Sequence, residues 1–172
     1  MLVSIRDLER GVVRFRTSFA PGLVDFSDDG LRQVSPLDVE GLAQLVNVHR
    51  GEIRIRGRLR VEMMAECDRC LEDAGLTVES DFDLVYVPAR LVPEGDEIEI
   101  EGTALEVEFY EGEGVSLAGL VREQILLTVP MQRVCRDDCR GICPVCGGNR
   151  NLNPCSCGQG RADDRWAALR RL

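Results

Sequence analysis

Hydrophobic and polar residues alternate along much of the first two thirds of the chain. Ile53, Ile55, Leu59, Val61 and Met63 are interleaved with Arg54, Arg56, Arg58, Arg60 and Glu62. A period of two places one set on a core and the other in water, so residues 52–66 predict a strand. Residues 39–49 predict its partner, with Arg50-Gly51 as the hairpin turn between them. The β-branched and aromatic run Gly11–Phe19 predicts an earlier strand. Leu76, Val78, Phe82 and Leu84 repeat the alternation, Ile98 and Ile100 sit between Glu97, Glu99 and Glu101, and Leu105, Val107 and Phe109 complete the set. From Ser116 the period changes to that of a helix. Leu117, Leu120, Val121 and Ile125 share a face, Ser116 suits the N-cap, and Pro130 ends the element.

The pattern predicts an α+β chain of mostly antiparallel β structure, a meander or barrel-like body, with one or two helices and a Cys-rich tail. Residues 1–132 form the body, with its helix near 116–128. Residues 133–160 form a metal-binding module, and 161–172 a short C-terminal helix, all within one integrated domain. Asp163 and Asp164 open that last helix and Arg170 and Arg171 close it, which suits the helix dipole.

Composition narrows the class. No run of about 18 apolar residues occurs, and acids fall within the first ten residues, so a cytoplasmic protein is expected. There thiols stay reduced, and the eight cysteines read as ligands rather than disulfides. Net charge is −9, which opposes indiscriminate nucleic-acid binding. The charge is uneven: residues 133–172 hold eight Arg and four Asp, or +4, whereas 1–132 carry −13. All 21 basic residues are Arg.

Thiolates are costly without a cation, and zinc takes four of them at about 2.3 Å. In Cys143-Pro-Val-Cys146-Gly147, Pro144 presets a knuckle and Gly147 can adopt the positive φ that turns N–H groups toward sulfur. Cys155 and Cys157 supply a second pair nearby, giving a compressed zinc-ribbon-like set. Cys67 and Cys70 are then left with Cys135 and Cys139, a grouping that closes a loop of about 65 residues. A rival puts Cys135, Cys139, Cys143 and Cys146 on one ion and joins Cys67/Cys70 to Cys155/Cys157. Two zinc ions are expected either way; iron, disulfides and a redox pair at Cys67/Cys70 are the competing readings.

No enzyme is expected. His49 is the single histidine and sits at a hairpin end, no nucleophile–His–acid set can be built without it, and four thiolates leave zinc no open position. The stripe Arg54/Arg56/Arg58/Arg60 repeats every ~6.8 Å and could track phosphates. The preferred reading pairs it with Glu97/Glu99/Glu101 or Glu106/Glu108, because no aromatic residues interleave it. Arg133, Arg136, Arg140 and Arg150 are the candidates for RNA or partner contact in the tail.

The order Cys67-Asp-Arg-Cys70-Leu71, Leu-Thr-Val-Pro130-Met131, Cys135-x3-Cys139, Cys143-Pro-Val-Cys146-Gly, Asn151-Leu-Asn153, Cys155-Ser-Cys157 and Asp164-Arg-Trp-Ala-Ala-Leu169 resembles the YceD family, the large ribosomal RNA subunit accumulation proteins of bacteria and plastids. The resemblance covers most of the chain, and its specific part is 67–71 with 128–169. It implies a role in accumulation or processing of large-subunit (23S) ribosomal RNA, without known catalysis, and metal binding at all eight cysteines. The implied partner is ribosomal RNA, a pre-ribosomal particle or a large-subunit ribosomal protein. Two modes of action follow: an assembly factor touching RNA, or an adaptor whose acidic body binds a basic protein and no RNA.

Overall fold

A computed structural model describes residues 1–91 and 107–157. They fall into two compact units, one of Met1–Met64 and Gly75–Pro130, the other of Ala65–Ala74 and the chain from Met131 onward.

The first unit is built on a mixed, mostly antiparallel sheet. Its strands are β2 (Val13–Phe19), β3 (Leu31–Gln33), β4 (Leu37–Asn47), β5 (Glu52–Glu66), β6 (Asp73–Pro88) and β7 (Val107–Tyr110), running in the order β2-β4-β5-β6-β7 with β3 also on β5. The ends of β5 and β6, from Ala65 to Ala74, belong to the second unit. The alternation in β5 is realised directly. Ile53, Ile55, Leu59, Val61 and Met63 are buried, while Arg56, Arg58 and Arg60 are exposed. Asn47 accepts the Gly51 N–H at 2.8 Å, and Gly51 takes φ +72 to close the β4–β5 turn, leaving His49 exposed.

One register position requires glycine twice. Phe15 faces Gly41 and Gly41 faces Gly57 across β2, β4 and β5. A Cβ on Gly41 would lie 2.8 Å from the Phe15 ring, and one on Gly57 would lie 2.9 Å from the Phe82 ring. Two buried aromatic rings therefore cover the bare glycines and supply the packing that the glycines lack.

Helix α2 (Leu117–Thr128) starts where expected. Ser116 Oγ accepts the Gly119 N–H at 3.4 Å, and Leu117, Leu120, Val121, Gln124 and Ile125 are buried. Three features depart from the sequence reading. A short strand β1 (Leu2–Ser4) pairs antiparallel with β8 (Gly114–Ser116), and the four-residue helix α1 (Ile5–Leu8) follows β1, capped by Ser4. Strand β7 pairs with β6 in parallel, where an antiparallel neighbour was expected. Within β7 the buried residue is Tyr110, with Phe109 exposed, because the Tyr110 hydroxyl reaches the Gly51 carbonyl at 2.7 Å. The expected strand at Ile98 and Ile100 and the C-terminal helix lie outside the described residues.

Candidate metal centres

The second unit has a small apolar centre of its own, made by Cys67, Cys70, Ala74 and Cys139 with Val134 packed against it. The turn between β5 and β6 is a knuckle. Cys67 N–H donates to Glu72 O at 2.8 Å, and Leu71 N–H returns to Cys67 O at 2.9 Å. Residues 133–139 are stitched to that knuckle. Asp68 Oδ2 accepts the Arg133 N–H at 2.6 Å, and Asp68 N–H donates to Arg133 O at 2.9 Å. The Arg69 guanidinium donates to the carbonyls of Asp137 and Cys139 at 3.2 and 3.3 Å.

These bonds bring Cys67, Cys70, Cys135 and Cys139 together, with all four sulfurs within 4.8 Å of one another. The Cys67–Cys139 and Cys70–Cys135 sulfurs are 3.9 and 3.6 Å apart. A zinc tetrahedron with arms of about 2.3 Å has edges of about 3.8 Å, close to both of these separations. Donors face the sulfurs as well: Cys135 N–H reaches Cys67 Sγ at 3.4 Å, and the Asn151 amide reaches Cys139 Sγ at 3.3 Å.

The second cluster holds Cys143, Cys146, Cys155 and Cys157, again within 4.8 Å. Its knuckle closes through Gly147 N–H to Cys143 O at 2.8 Å, with Gly147 at φ +71 and Val145 N–H aimed at Cys143 Sγ at 3.4 Å. The ribbon grouping is thus the one assembled, and the rival grouping is not. The two clusters differ in exposure: Cys67, Cys70 and Cys139 are buried and Cys135 exposed, whereas in the second only Cys143 is buried and Cys146 and Cys157 are exposed.

Within each cluster the thiols differ in how readily they ionise. Burial raises the Cys67 thiol, but N–H groups of Cys135, Arg69 and Cys70 outweigh it and bring it to about 6. The N–H groups of Cys146 and Val145 bring Cys143 to about 6. Burial and the neighbouring sulfurs push Cys135 up to about 12, and Cys146 Sγ followed by burial does the same to Cys157. Four thiols this close cannot all ionise by themselves; a divalent cation makes that possible.

The predicted arginines separate into classes. Arg54 makes a bidentate pair with Asp83 at 2.7 and 2.6 Å, and Arg58 pairs with Asp81 at 2.9 Å. Two members of the stripe are therefore matched from β6; of the acids expected to face it, Glu97, Glu99, Glu101 and Glu106 lie outside the described residues. Arg56 and Arg60 are exposed. In the tail, the Arg136 guanidinium pairs with Asp138 at 3.2 Å, Asp68 accepts the backbone N–H of Arg133, and Arg140 and Arg150 are exposed. Arg69, Asp68 and Asn151 were not singled out from sequence; Asn151 was visible only as part of an Asn-x-Asn motif.

Fold and site together define a β-rich chain whose second unit gathers eight cysteines into two four-sulfur clusters that could each hold a metal ion. The model of the family described as "Large ribosomal RNA subunit accumulation protein YceD" matches residues 55–172, and the chain belongs to that family. It is similar to the "Large ribosomal RNA subunit accumulation protein YCED homolog 1, chloroplastic" of Arabidopsis thaliana, 24% identical over 144 residues, covering 70% of this chain and 44% of the relative. The maize protein of the same name is 24% identical over 135 residues, covering 65% and 46%. The uncharacterized protein YlbN of Bacillus subtilis is 26% identical over 143 residues, covering 83% of this chain and 77% of the relative. The chain thus spans less than half the length of the plant relatives it matches. No solved structure matches it. Among the described residues, no helix is long and apolar enough to cross a membrane.

Proposed function

We propose that this chain is a non-catalytic, zinc-holding factor that supports accumulation and processing of large-subunit ribosomal RNA during ribosome assembly in the cytoplasm. The observation that carries the proposal is the pairing of the family match over 55–172 with two four-cysteine clusters inside that span, each with its sulfurs within 4.8 Å of one another. Four thiolates complete the coordination of each ion, so zinc here orders the chain and activates no water. Each ion replaces the core that residues 135–157, rich in Gly, Asn and Pro, do not otherwise have. Depletion of the protein should lower large-subunit RNA relative to small-subunit RNA, and wild-type chain but not Cys67→Ser should restore the ratio. An unchanged ratio on depletion refutes the role.

Charge favours the adaptor mode over direct RNA contact. The +4 of residues 133–172 is not the charge of the unit, because Ala65–Ala74 adds Glu66, Asp68, Glu72 and Asp73 against Arg69 alone. The whole unit has nine arginines and eight carboxylates, and two zinc tetrathiolates of −2 each would take it to −3. The entire chain would then carry −13. An acidic factor of this kind suits a basic protein of the large subunit as its direct partner. Salt-dependent retention on protein-free ribosomal RNA that is lost in an Arg140→Gln/Arg150→Gln variant would favour the RNA mode instead.

A further inference from the structure

Asn151 belongs to one cysteine cluster by sequence and touches the other in space. It lies between Cys146 and Cys155, inside the span that the second cluster closes. Its side-chain amide donates to Cys139 Sγ of the first cluster at 3.3 Å. The orientation of that amide is set by its other end. Asn151 Oδ1 accepts the Arg140 N–H at 2.8 Å, which the amide nitrogen could not do, so the NH2 group is left facing the sulfur. The Asn151 N–H donates to Asn149 Oδ1 at 2.9 Å, and the Asn149 amide reaches Glu72 Oε1, beside the first knuckle, at 3.3 Å.

Backbone bonds join the same two places. Ile142 N–H donates to Arg69 O at 2.8 Å, and Arg150 N–H donates to Gly141 O at 2.9 Å. Gly141, at φ +67°, lies so close to the first knuckle that a Cβ there would be 2.7 Å from Arg69 O. Residues 141–151 are thereby fastened to the loop that carries Cys67 and Cys70. Residues 147–154 join Cys146 to Cys155, so both their ends are held only when the second cluster is closed. An N–H aimed at a ligating sulfur disperses its negative charge and fixes its direction, and such an outer partner raises metal affinity without touching the metal.

We propose that Asn151 is a positioning residue of the first cluster that the closed second cluster delivers, so that the two clusters bind metal cooperatively. The inference rests on the reading above that both clusters take a metal ion, and adds a coupling between them. Closing the 143–157 loop places the Asn151 amide against Cys139, where it helps hold a set of sulfurs drawn from residues 65 apart. By linkage, the assembled first cluster raises the affinity of the second by the same factor.

Cobalt(II) is the probe, because its thiolate absorption counts bound ions while a competing chelator sets the free concentration. Full-length wild type would be compared with two single-centre chains, Cys67→Ser/Cys70→Ser and Cys155→Ser/Cys157→Ser. The wild type should take up two ions with an overall affinity about tenfold or more above the product of the two single-centre affinities. Asn151→Ala and Asn151→Asp, each placed in all three chains, should bring that excess to within about twofold of none. The Asp variant separates positioning from turn formation: it keeps the oxygen that accepts the Arg140 N–H and sets a second oxygen against the sulfur. In the Cys155→Ser/Cys157→Ser chain, Asn151→Ala should change the remaining affinity by no more than about twofold. No excess in the wild type overturns the proposal, as does an excess kept by either Asn151 variant. An equal loss from Asn151→Ala with the second cluster intact or opened also overturns it. Two ions bound independently would leave the metal-holding reading standing, whereas a chain that takes up no cobalt would refute that reading and this inference together.

Discussion

The two clusters close loops of very different length, and that difference sets a measurable order between them. Cys70 and Cys135 are 65 residues apart, whereas Cys146 and Cys155 are nine apart. Loop-closure entropy grows as (3/2)RT ln n, so holding the first cluster together removes about 1.8 kcal/mol more freedom from the unfolded chain than holding the second. Cys67→Ser and Cys155→Ser each delete one thiolate from one tetrad, so ligand chemistry is matched and the loop term remains. Cys67 is also fully buried and accepts the Cys135 N–H, which adds to the cost in the same direction. With a urea m-value of about 2 kcal/mol/M, the Cys67→Ser midpoint should lie roughly 1 M below that of Cys155→Ser. Hydrogen exchange should separate them too: Cys155→Ser should expose mainly amides of 143–157, and Cys67→Ser those of 67–72 and 133–139 as well. Equal midpoints and the same exchange pattern in both variants would refute the division into a long-range clamp and a local ribbon.

The Gly41–Gly57 pair should tolerate no side chain. Gly57→Ala drives a methyl into the Glu40 carbonyl oxygen, with the Phe82 ring at 2.9 Å and Gly41 Cα at 3.0 Å, and should cost about 3 kcal/mol or more by chemical unfolding. Gly147→Ala meets nothing within 4 Å, so only its φ of +71° opposes it, and the loss should be about 1–2 kcal/mol. Acid should weaken the outer face of the sheet in a defined direction. The Arg54 guanidinium holds the Asp83 carboxyl below its ordinary value, so the stability it contributes is present above the unfolded-state pKa and is lost as pH falls through the lower folded-state one. Asp83→Asn should abolish that part of the acid dependence, as read from unfolding midpoints between about pH 5 and pH 2.

What the sequence disclosed depended on repetition. The five alternating pairs of β5 and the capped face of α2 carry a period, and both elements stand within a residue or two of where that period puts them. Three-residue strands such as β1 and β8 have no period to read, and their pairing joins residues more than a hundred positions apart. The parallel register of β7 depends on where the chain returns to the sheet, which alternation does not encode. The arginine stripe shows the same limit: its outward face was legible, but Asp81 and Asp83 as partners follow from register across the β5–β6 hairpin. Knuckle spacing identified the cysteines as ligands, while the choice between two groupings required the Asp68–Arg133 and Arg69–Cys139 bonds that carry residues 133–139 onto the first knuckle. Leu71, at φ +63°, gave no warning, because the positive φ that glycine advertises in Cys146-Gly147 is hidden when the residue is leucine.

If the proposal is right, both four-sulfur clusters hold zinc. Elemental analysis of the native, full-length chain combined with zinc-edge X-ray absorption tests it directly. Each chain should carry two zinc ions, each with four sulfur neighbours at about 2.3 Å, and eight thiols that become reactive only as metal leaves. A chain purified with iron, with no metal, with oxygen or nitrogen in the zinc shell, or with its cysteines joined as disulfides would contradict it.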